Sequence, residues 1–303
     1  PGYLFVDDDA VPLGSELRVA IGADDNREVV FEGLVSSIGA HFASAQPALL
    51  KVCAEDAGMR LRMHQGARSW EEEPADVVVT DAGRAARVEA QGIGDEVEDG
   101  YLQFNRPSLA TLRERARVVD ARIVGALHGV HLEPARRGTE EVVVTLADEL
   151  LSFDVSADLA HQRVEVRVHG WSTDEKAGVH GSAGADAVSA ESSGGSTGPE
   201  ILARLDFDAV EHVHREAPTD SAQAQRFADI LQRRRSRRFV VGRGVTRGTP
   251  GLRVGHVVDV RGVDTQFAGR YHVTEVRHVF DRKSGLRTHF DAERVDFGGG
   301  VAR

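Results

Sequence analysis

The sequence predicts a mainly β protein of the α+β class, with two related β units at its ends and a helix-bearing middle. Three observations carry this expectation. Short runs rich in Val, Ile and Leu, cut by Gly, Pro or Asp, gather at both ends of the 303 residues. Two amphipathic helical patterns lie between them. A spaced series of matching residues then relates one end to the other.

From the start of the chain, LRVAI, VVFEGLVSSI, ALLKVCAED and RLRM read as strands. PADVVVTDAGRAARV reads as a short helix entered by Pro74, with Glu71, Glu72 and Glu73 at its positive end. RPSLATLRERARVVDA is the clearest helix: Leu109, Leu112, Ala116 and Val119 share a face, and Ser108 or Asn105 can cap it. ARIVGALHGVHLEP, EEVVVTLADELLSFDVS and HQRVEVRVHGW return to strand texture. In the last, Val164, Val166 and Val168 alternate with Glu165, Arg167 and His169. Residues 172–199 are rich in Gly, Ser and Ala without periodicity, the texture of a mobile linker. LARLDFDAV and EHVHREA read as strand, and a second helix follows, DSAQAQRFADILQRR, with Ala224, Phe227, Ala228 and Leu231 on one face; strands resume from FVVGRG onward.

Composition narrows the function classes. Hydrophobic residues make up 41% and charged residues 28%, enough apolar material for a proper core. No run approaches the ~18 apolar residues of a membrane helix, so no membrane insertion of this chain is expected. The start, PGYLFVDDDAVPLG, lacks the basic and apolar segments of a secretory signal, which points to synthesis in the cytoplasm. The one cysteine, Cys53, excludes an intrachain disulfide and Cys-rich zinc patterns, and reads as a buried small residue. A net charge of −11 argues against nucleic acid as a partner. The one basic run, QRRRSRRF at 232–239, reads as a solvated helix end, with Arg233, Arg234 and Arg235 as a candidate contact for an acidic partner.

The internal repeat sets residues 13–42 over 254–280. Gly14 falls on Gly255, Leu17 on Val258 and Val19 on Val260, with turns ending at Gly22 and Gly262. Phe31-x-Gly33 is matched to Phe267-x-Gly269, then Val35, Ile38 and Phe42 to Val273, Val276 and Phe280. Two related β units arranged this way suggest symmetry in assembly.

Candidate chemistry is thin. GRYHVTEVRHVFDRKSGLRTHFDAER holds three histidines on a hairpin. By strict alternation His272, Thr274, Val276, His278 and Phe280 share one face, with His289 facing His278 across the turn. Yet His272 and His278 stand roughly 20 Å apart by strand rise and cannot share a metal. His212-Val-His214 has metal-pair spacing with Glu211 and Glu216 nearby, but the polar face of an exposed strand explains it as well. HExxH, GxSxG and a Walker lysine are absent, and GRGVTRGTPGLRVG reads as a glycine-rich strand connection.

The residues resemble a known family. The stretch from Arg237 to Arg294, opening RRFVVGRGVTRGTPGLRVG, resembles the end of the phage late control protein D family. These are hub proteins of contractile tails and injection systems, related to the N-terminal half of valine-glycine repeat protein G. The likeness rests on Gly248, Pro250, Leu252 and Gly255, on Phe267, Gly269, Tyr271, Val273, Thr274, Val276 and His278, and on Gly285, Thr288, Phe290 and Arg294. Gln103, Asn105, Leu109, Leu112 and Ala116 match its middle helix, and VFEGLVSSIG, with Phe31 and Gly33, its first-barrel strand. The chain departs in the loop at 178–199 and at its short N-terminus, where the family has further strands.

The resemblance implies two antiparallel β-barrels, over 1–66 and 238–303. Between them it implies an α+β insertion (67–137), strands leading to the second barrel (138–171), a flexible Gly/Ser loop (172–199) and a strand-and-helix spacer (200–237). It implies a structural baseplate hub without cofactor, metal or enzymatic activity. Such a hub is a homotrimer whose six quasi-equivalent barrels join a hexameric inner tube protein to a trimeric spike protein, among other baseplate components of a tail or injection particle. The alternatives are a tail-associated cell-wall hydrolase or metal-dependent enzyme using Glu71–Glu73 or His212 and His214, and a standalone β-rich binding module.

Overall fold

The computed structural model describes residues 11–23, 26–44, 46–94, 100–136 and 140–298. The N-terminal segment read for signal character (1–10) and Asp24–Asp25 of the first expected turn lie outside the described residues. The chain divides into two compact units, Pro1–Ala135 and Arg136–Arg303.

The first unit opens with β1 (Glu16–Ala23), β2 (Asn26–Ala43) and β3 (Gln46–Glu55), an antiparallel meander. A mixed layer comes next: α1 (Gly58–Met63), β4 (Gln65–Trp70), α2 (Ala75–Ala85), β5 (Glu89–Gln91), β6 (Tyr101–Pro107), α3 (Ser108–Val118), β7 (Ala121–Gly125) and β8 (Gly129–Pro134). Its core is Leu61, Trp70, Val78, Val79, Leu112, Ala116, Val130 and Leu132, with Leu109 and Val119 packed against it. The expected apolar face of α3 is therefore the face that is used.

The capping expectation fails. Pro107 stands at the N-cap of α3 without a side-chain cap. Ser108 instead donates its N–H to the His64 carbonyl at 3.0 Å and sets its hydroxyl 2.8 Å from His64 Nδ1. Asn105 is the extra residue of a bulge between β4 and β6, in left-handed conformation at φ 46°, which an Asn tolerates better than most residues. The α2 helix does start after Pro74, with Asp76 in its first turn; Glu71–Glu73 lie exposed ahead of it. Cys53 is half-buried on β3 rather than sealed in a core.

The second unit contains β9 (Glu141–Thr145), β10 (Leu150–Ala157), β11 (Glu165–Ser172), β12 (Ala177–Ala183), a 3₁₀ turn (Ala185–Glu191), β13 (Ser196–Thr197), α4 (Gly198–Arg204), β14 (Val210–Val213) and α5 (Ser221–Arg237). It ends with β15 (Val240–Thr246), β16 (Val257–Arg261), β17 (Gly269–Asp281), β18 (Gly285–Arg294) and β19 (Asp296–Phe297). Six strands in the order β10-β15-β18-β17-β16-β9 form a strongly curled half-barrel around Tyr271, Phe290, Leu150, Leu252 and Val258. The sheet β12-β11-β14 lies against α5, through Val166 and Val168 on one side and Ala224 and Ala228 on the other. Mixed α+β with strands predominant is the observed class. Among the described residues, three strands stand at the N-terminal end and a half-barrel at the C-terminal end, where two barrels were expected.

Residues 172–199 carry elements that their composition does not predict. β12 pairs along β11 from Val166/Ala183 to Ser172/Ala177. The buried carboxylate of Asp296 accepts from Ser192 Oγ (2.8 Å), Ser193 N (2.5 Å) and Gly195 N (3.2 Å), and so holds the turn before β13. Small residues here serve close approach: a Cβ on Gly181 would lie 2.4 Å from the α5 backbone at Ala224 and Gln225. The basic run likewise differs from a solvated helix end. Gln232, Ser236 and Arg237 are buried, Arg235 is ion-paired with Glu211 and donates to the His161 carbonyl at 3.0 Å, and Arg234 is exposed.

Gly181→Val is expected to lever α5 off its sheet and cost about 3 kcal/mol, the upper end of the overpacking range. The lowered midpoint would be read from denaturant unfolding at unchanged m.

Candidate assembly surface

The sequence repeat is a repeat of backbone geometry. Gly14 at φ 84° donates its N–H to the Val35 carbonyl at 2.8 Å, and Val35 N returns to the Ser15 carbonyl at 2.8 Å. At the other end Gly255, φ 88°, donates to the Val273 carbonyl at 2.8 Å, and Val273 N returns to the His256 carbonyl at 2.9 Å. Immediately afterwards both long strands bulge, at Ser36 in β2 and at Thr274 in β17. Each bulge residue sends its hydroxyl to a carbonyl on the next strand: Ser36 to Cys53 at 3.5 Å, Thr274 to Asp291 at 3.2 Å. Beyond the bulges Ile38 faces Val52 as Val276 faces Phe290. The equivalence thus extends to a third strand, β3 on β18, where the residues themselves do not match.

One part of the match is corrected. Leu17 pairs with Gly33 where its counterpart Val258 pairs with Tyr271, and Val19 pairs with Phe31 where Val260 pairs with Gly269. The two Phe-x-Gly motifs are therefore offset by two residues. Gly33 takes the place of Tyr271, and the Phe31 ring fills the space above it, 2.6 Å from where a Cβ on Gly33 would sit.

Exposure separates the copies in one respect and unites them in another. Val260 is fully buried beneath the half-barrel, whereas its counterpart Val19 is 36% exposed on the three-stranded sheet. Two positions are exposed in both: Leu13 and Val254 (66% and 41%), and Phe42 and Phe280 (57% and 70%), the latter near the hairpin tips. Large apolar groups thus recur at the same exposed positions of the two copies.

The other motif residues fasten the C-terminal copy. Tyr271 donates to the Phe267 carbonyl at 2.6 Å, its ring lies under the Arg294 guanidinium at 4.7 Å, and Arg294 donates to the Ala268 carbonyl at 2.8 Å. Burial pushes the Tyr271 hydroxyl up to about 12. Phe290 stacks on Phe153 at 6.4 Å, and Phe267 meets Phe297 edge-on at 5.3 Å. Gly269, at φ 118°, lets Arg294 approach to 3.3 Å of its missing Cβ. Thr288, fully buried, accepts from Thr249 N at 2.9 Å and lies 2.9 Å from His278 Nδ1, which pins the turn holding Pro250 to the hairpin. In the first unit, Gln103 is buried and donates to the Arg106 carbonyl at 2.8 Å.

The hairpin histidines are structural, and two expectations about them are overturned. His278 faces Thr288, not His289, which pairs with Arg277. The bulge at Thr274 also reverses the alternation, so Val276 and His278 continue the inward side of Tyr271 and Val273. His272 sits beside a buried ionic knot. Arg136 bridges Glu293 (3.1 Å) and Glu191 (3.4 Å), and Arg237 closes on Glu191 at 2.8 Å. Burial, then the charges of Arg136, Arg237 and Arg270, hold the His272 imidazole down to about 3, so it is neutral. Burial raises the Glu293 carboxyl against the pull of Arg136 and Arg237.

Of the two alternative enzyme candidates, Glu71–Glu73 lie in the first unit and His212 and His214 in the second. His212 and His214 instead stack with His169, a partner that sequence spacing could not reveal. Among the described residues no group of three or more His, Cys, Asp or Glu is arranged to hold a metal. Among them also, no helix is long and apolar enough to cross a membrane.

Residues 5–281 match the model of the Alg8 N-terminal domain. The chain belongs to the Alg8 N-terminal domain family. Comparison with curated proteins finds no match. Among solved structures, this family member shares its fold with the 43 kDa tail protein of prophage MuSo2 from Shewanella oneidensis: TM-score 0.69, 9% identity, 92% of this chain and 88% of that one. It also matches a tail protein of Neisseria meningitidis (TM-score 0.66, 10% identity, 93% and 84% covered). A third match is the E. coli c3393 protein, a component of the type VI secretion system described as similar to T4 tail proteins gp27 and gp5. There the TM-score is 0.54 at 11% identity, covering 94% of this chain and 66% of that one. At such identities the likeness is one of fold.

His272 gives a signed pH test. Its folded value lies below the ordinary ~6.5, so the unfolded chain takes up the proton first and stability falls as pH drops from about 6.5 toward 3. His272→Gln is expected to remove that component, at most about 1.4 kcal/mol per pH unit, from the slope of unfolding free energy against pH. Glu293, whose raised carboxyl acts in the opposite sense, is common to both proteins.

Proposed function

We propose that this chain is a non-enzymatic structural hub of a contractile tail or injection-system baseplate, assembling as a homotrimer that joins a hexameric inner tube to a trimeric spike. The observation that carries this is the duplicated hairpin module with apolar residues exposed at equivalent positions, Phe42 with Phe280 and Leu13 with Val254. A surface present twice in one chain becomes sixfold in a trimer, which is what a ring of six identical tube subunits requires. The fold shared with tail proteins supports the same assignment. The finer elements belong to the assembled particle. There, strands from a neighbouring subunit extend the three-stranded sheet β1–β3 and complete the first barrel, as β9, β10 and β15 flank the equivalent strands of the second. The basic run, through Arg233, Arg234 and Arg235, adds a secondary contact with an acidic neighbour; Arg235 also pairs with Glu211 within the chain.

The test is affinity purification of the tagged protein from its native cells, with mass spectrometry of what accompanies it and light scattering of the purified chain. A trimer carrying a tube-forming protein and a spike protein in defined ratio is the expected result; a monomer recovered alone overturns the proposal. Phe42→Asp with Phe280→Asp is expected to reduce recovered tube protein at least about tenfold while sparing the spike, each single substitution being intermediate.

A further inference from the structure

The sheet β12-β11-β14 packs one face on α5 and leaves the other uncovered by any described element of its unit, and that open face gathers imidazoles from three strands. His169 on β11 stacks on His212 at 5.3 Å and on His214 at 4.8 Å between ring centroids. His169 Nε2 lies 3.0 Å from His212 Nδ1, so one proton is shared between them. His180 is the cross-strand partner of His169 on β12. His214 lies one residue beyond β14, a four-residue edge strand joined in parallel to β11 from Glu165/Val210 to Val168/Val213.

We propose that this face is an acid-responsive latch, in which protonation of the stacked imidazoles forces β14 away from β11. The His169 ring stands about 5 Å from those of His212 and His214, so charging more than one ring of the stack sets like charges at that distance. Of the other charged groups on the face, Glu165 attracts a charged His212 and offsets part of this. Glu165 is engaged by Arg167 at 2.7 Å, and Arg167 adds to the positive field. Asp208 lies near Arg167, and Arg215 beyond the strand is engaged with Glu216 at 2.9 Å. Partial burial and the neighbouring imidazoles already depress His169, so opening is the state that takes up protons, and the latch weakens as pH falls. On the opposite face Glu211, paired with Arg235, remains as the tether of β14. An opened β14 leaves the β11 edge unpaired, a template for strand addition by another chain. The inference stands independently of the hub assignment.

The experiment is residue-resolved hydrogen exchange of the whole chain at pH 7.5 and 5.0, corrected for the intrinsic pH dependence of exchange. It is done in the His272→Gln background, so that the His272 contribution to acid destabilisation is removed. Protection of Val210–Val213 is expected to fall about tenfold per pH unit while opening is linked to uptake of one proton. Protection across β17–β18 should hold. In His169→Gln, and separately in His214→Gln, the pH-dependent loss at β14 should shrink or vanish. Equal protection at the two pH values, a loss shared with β17–β18, or a loss that persists in both variants overturns the proposal.

Discussion

A one-residue bulge governs the C-terminal half of the molecule. At Thr274 the β17 strand turns over, so that Tyr271 and Val273 before it and Val276 after it all face the half-barrel core. Without the bulge, strict alternation would send Val276 and His278 outward and break the core along its longest strand. The fasteners around it depend on this placement. Tyr271 sits between Phe153 and the Arg294 guanidinium, and His278 reaches the buried hydroxyl of Thr288. The N-terminal sheet carries the same bulge at Ser36, preceded by the same glycine-anchored hydrogen bonds, so the two hairpins are one device used twice.

The second constraint is electrostatic. Arg136, Glu191, Arg237 and Glu293 come from the start of the second unit, its 3₁₀ turn, the end of α5 and β18, and they meet in a poorly solvated place. Removing one partner from such a set strands a buried charge, which costs more than the intact set contributes. The knot therefore specifies how the helix layer docks on the half-barrel. Burial beside the knot, and after it the charges of Arg136, Arg237 and Arg270, keeps His272 neutral.

Much of the local structure was legible. Apolar spacing located α3 with the face it buries and α5 with most of its own, where Ile230 rather than Leu231 is buried, and alternation located β11. The repeat was legible where Gly and Val recur at fixed spacing. It was lost at β3, where Ala54 and Val52 stand for Ala292 and Phe290 with little likeness around them. The Gly/Ser segment was misleading because small residues mark both mobile chain and close packing, and only the α5 backbone against Gly181 distinguishes the two. The imidazole stack was half visible: His212 and His214 are neighbours in sequence, while His169 arrives from another strand.

By itself the sequence determined the strand-rich class, the two amphipathic helices and the duplication of a hairpin, since each is written in the local spacing of apolar residues and glycines. Tertiary structure alone decided the bulge that reverses β17, the pairing of His278 with Thr288, the ionic knot and the gathering of four imidazoles. Those depend on register and on contacts between residues far apart in the chain, and a shift of one residue in pairing would exchange every inward side chain for an outward one.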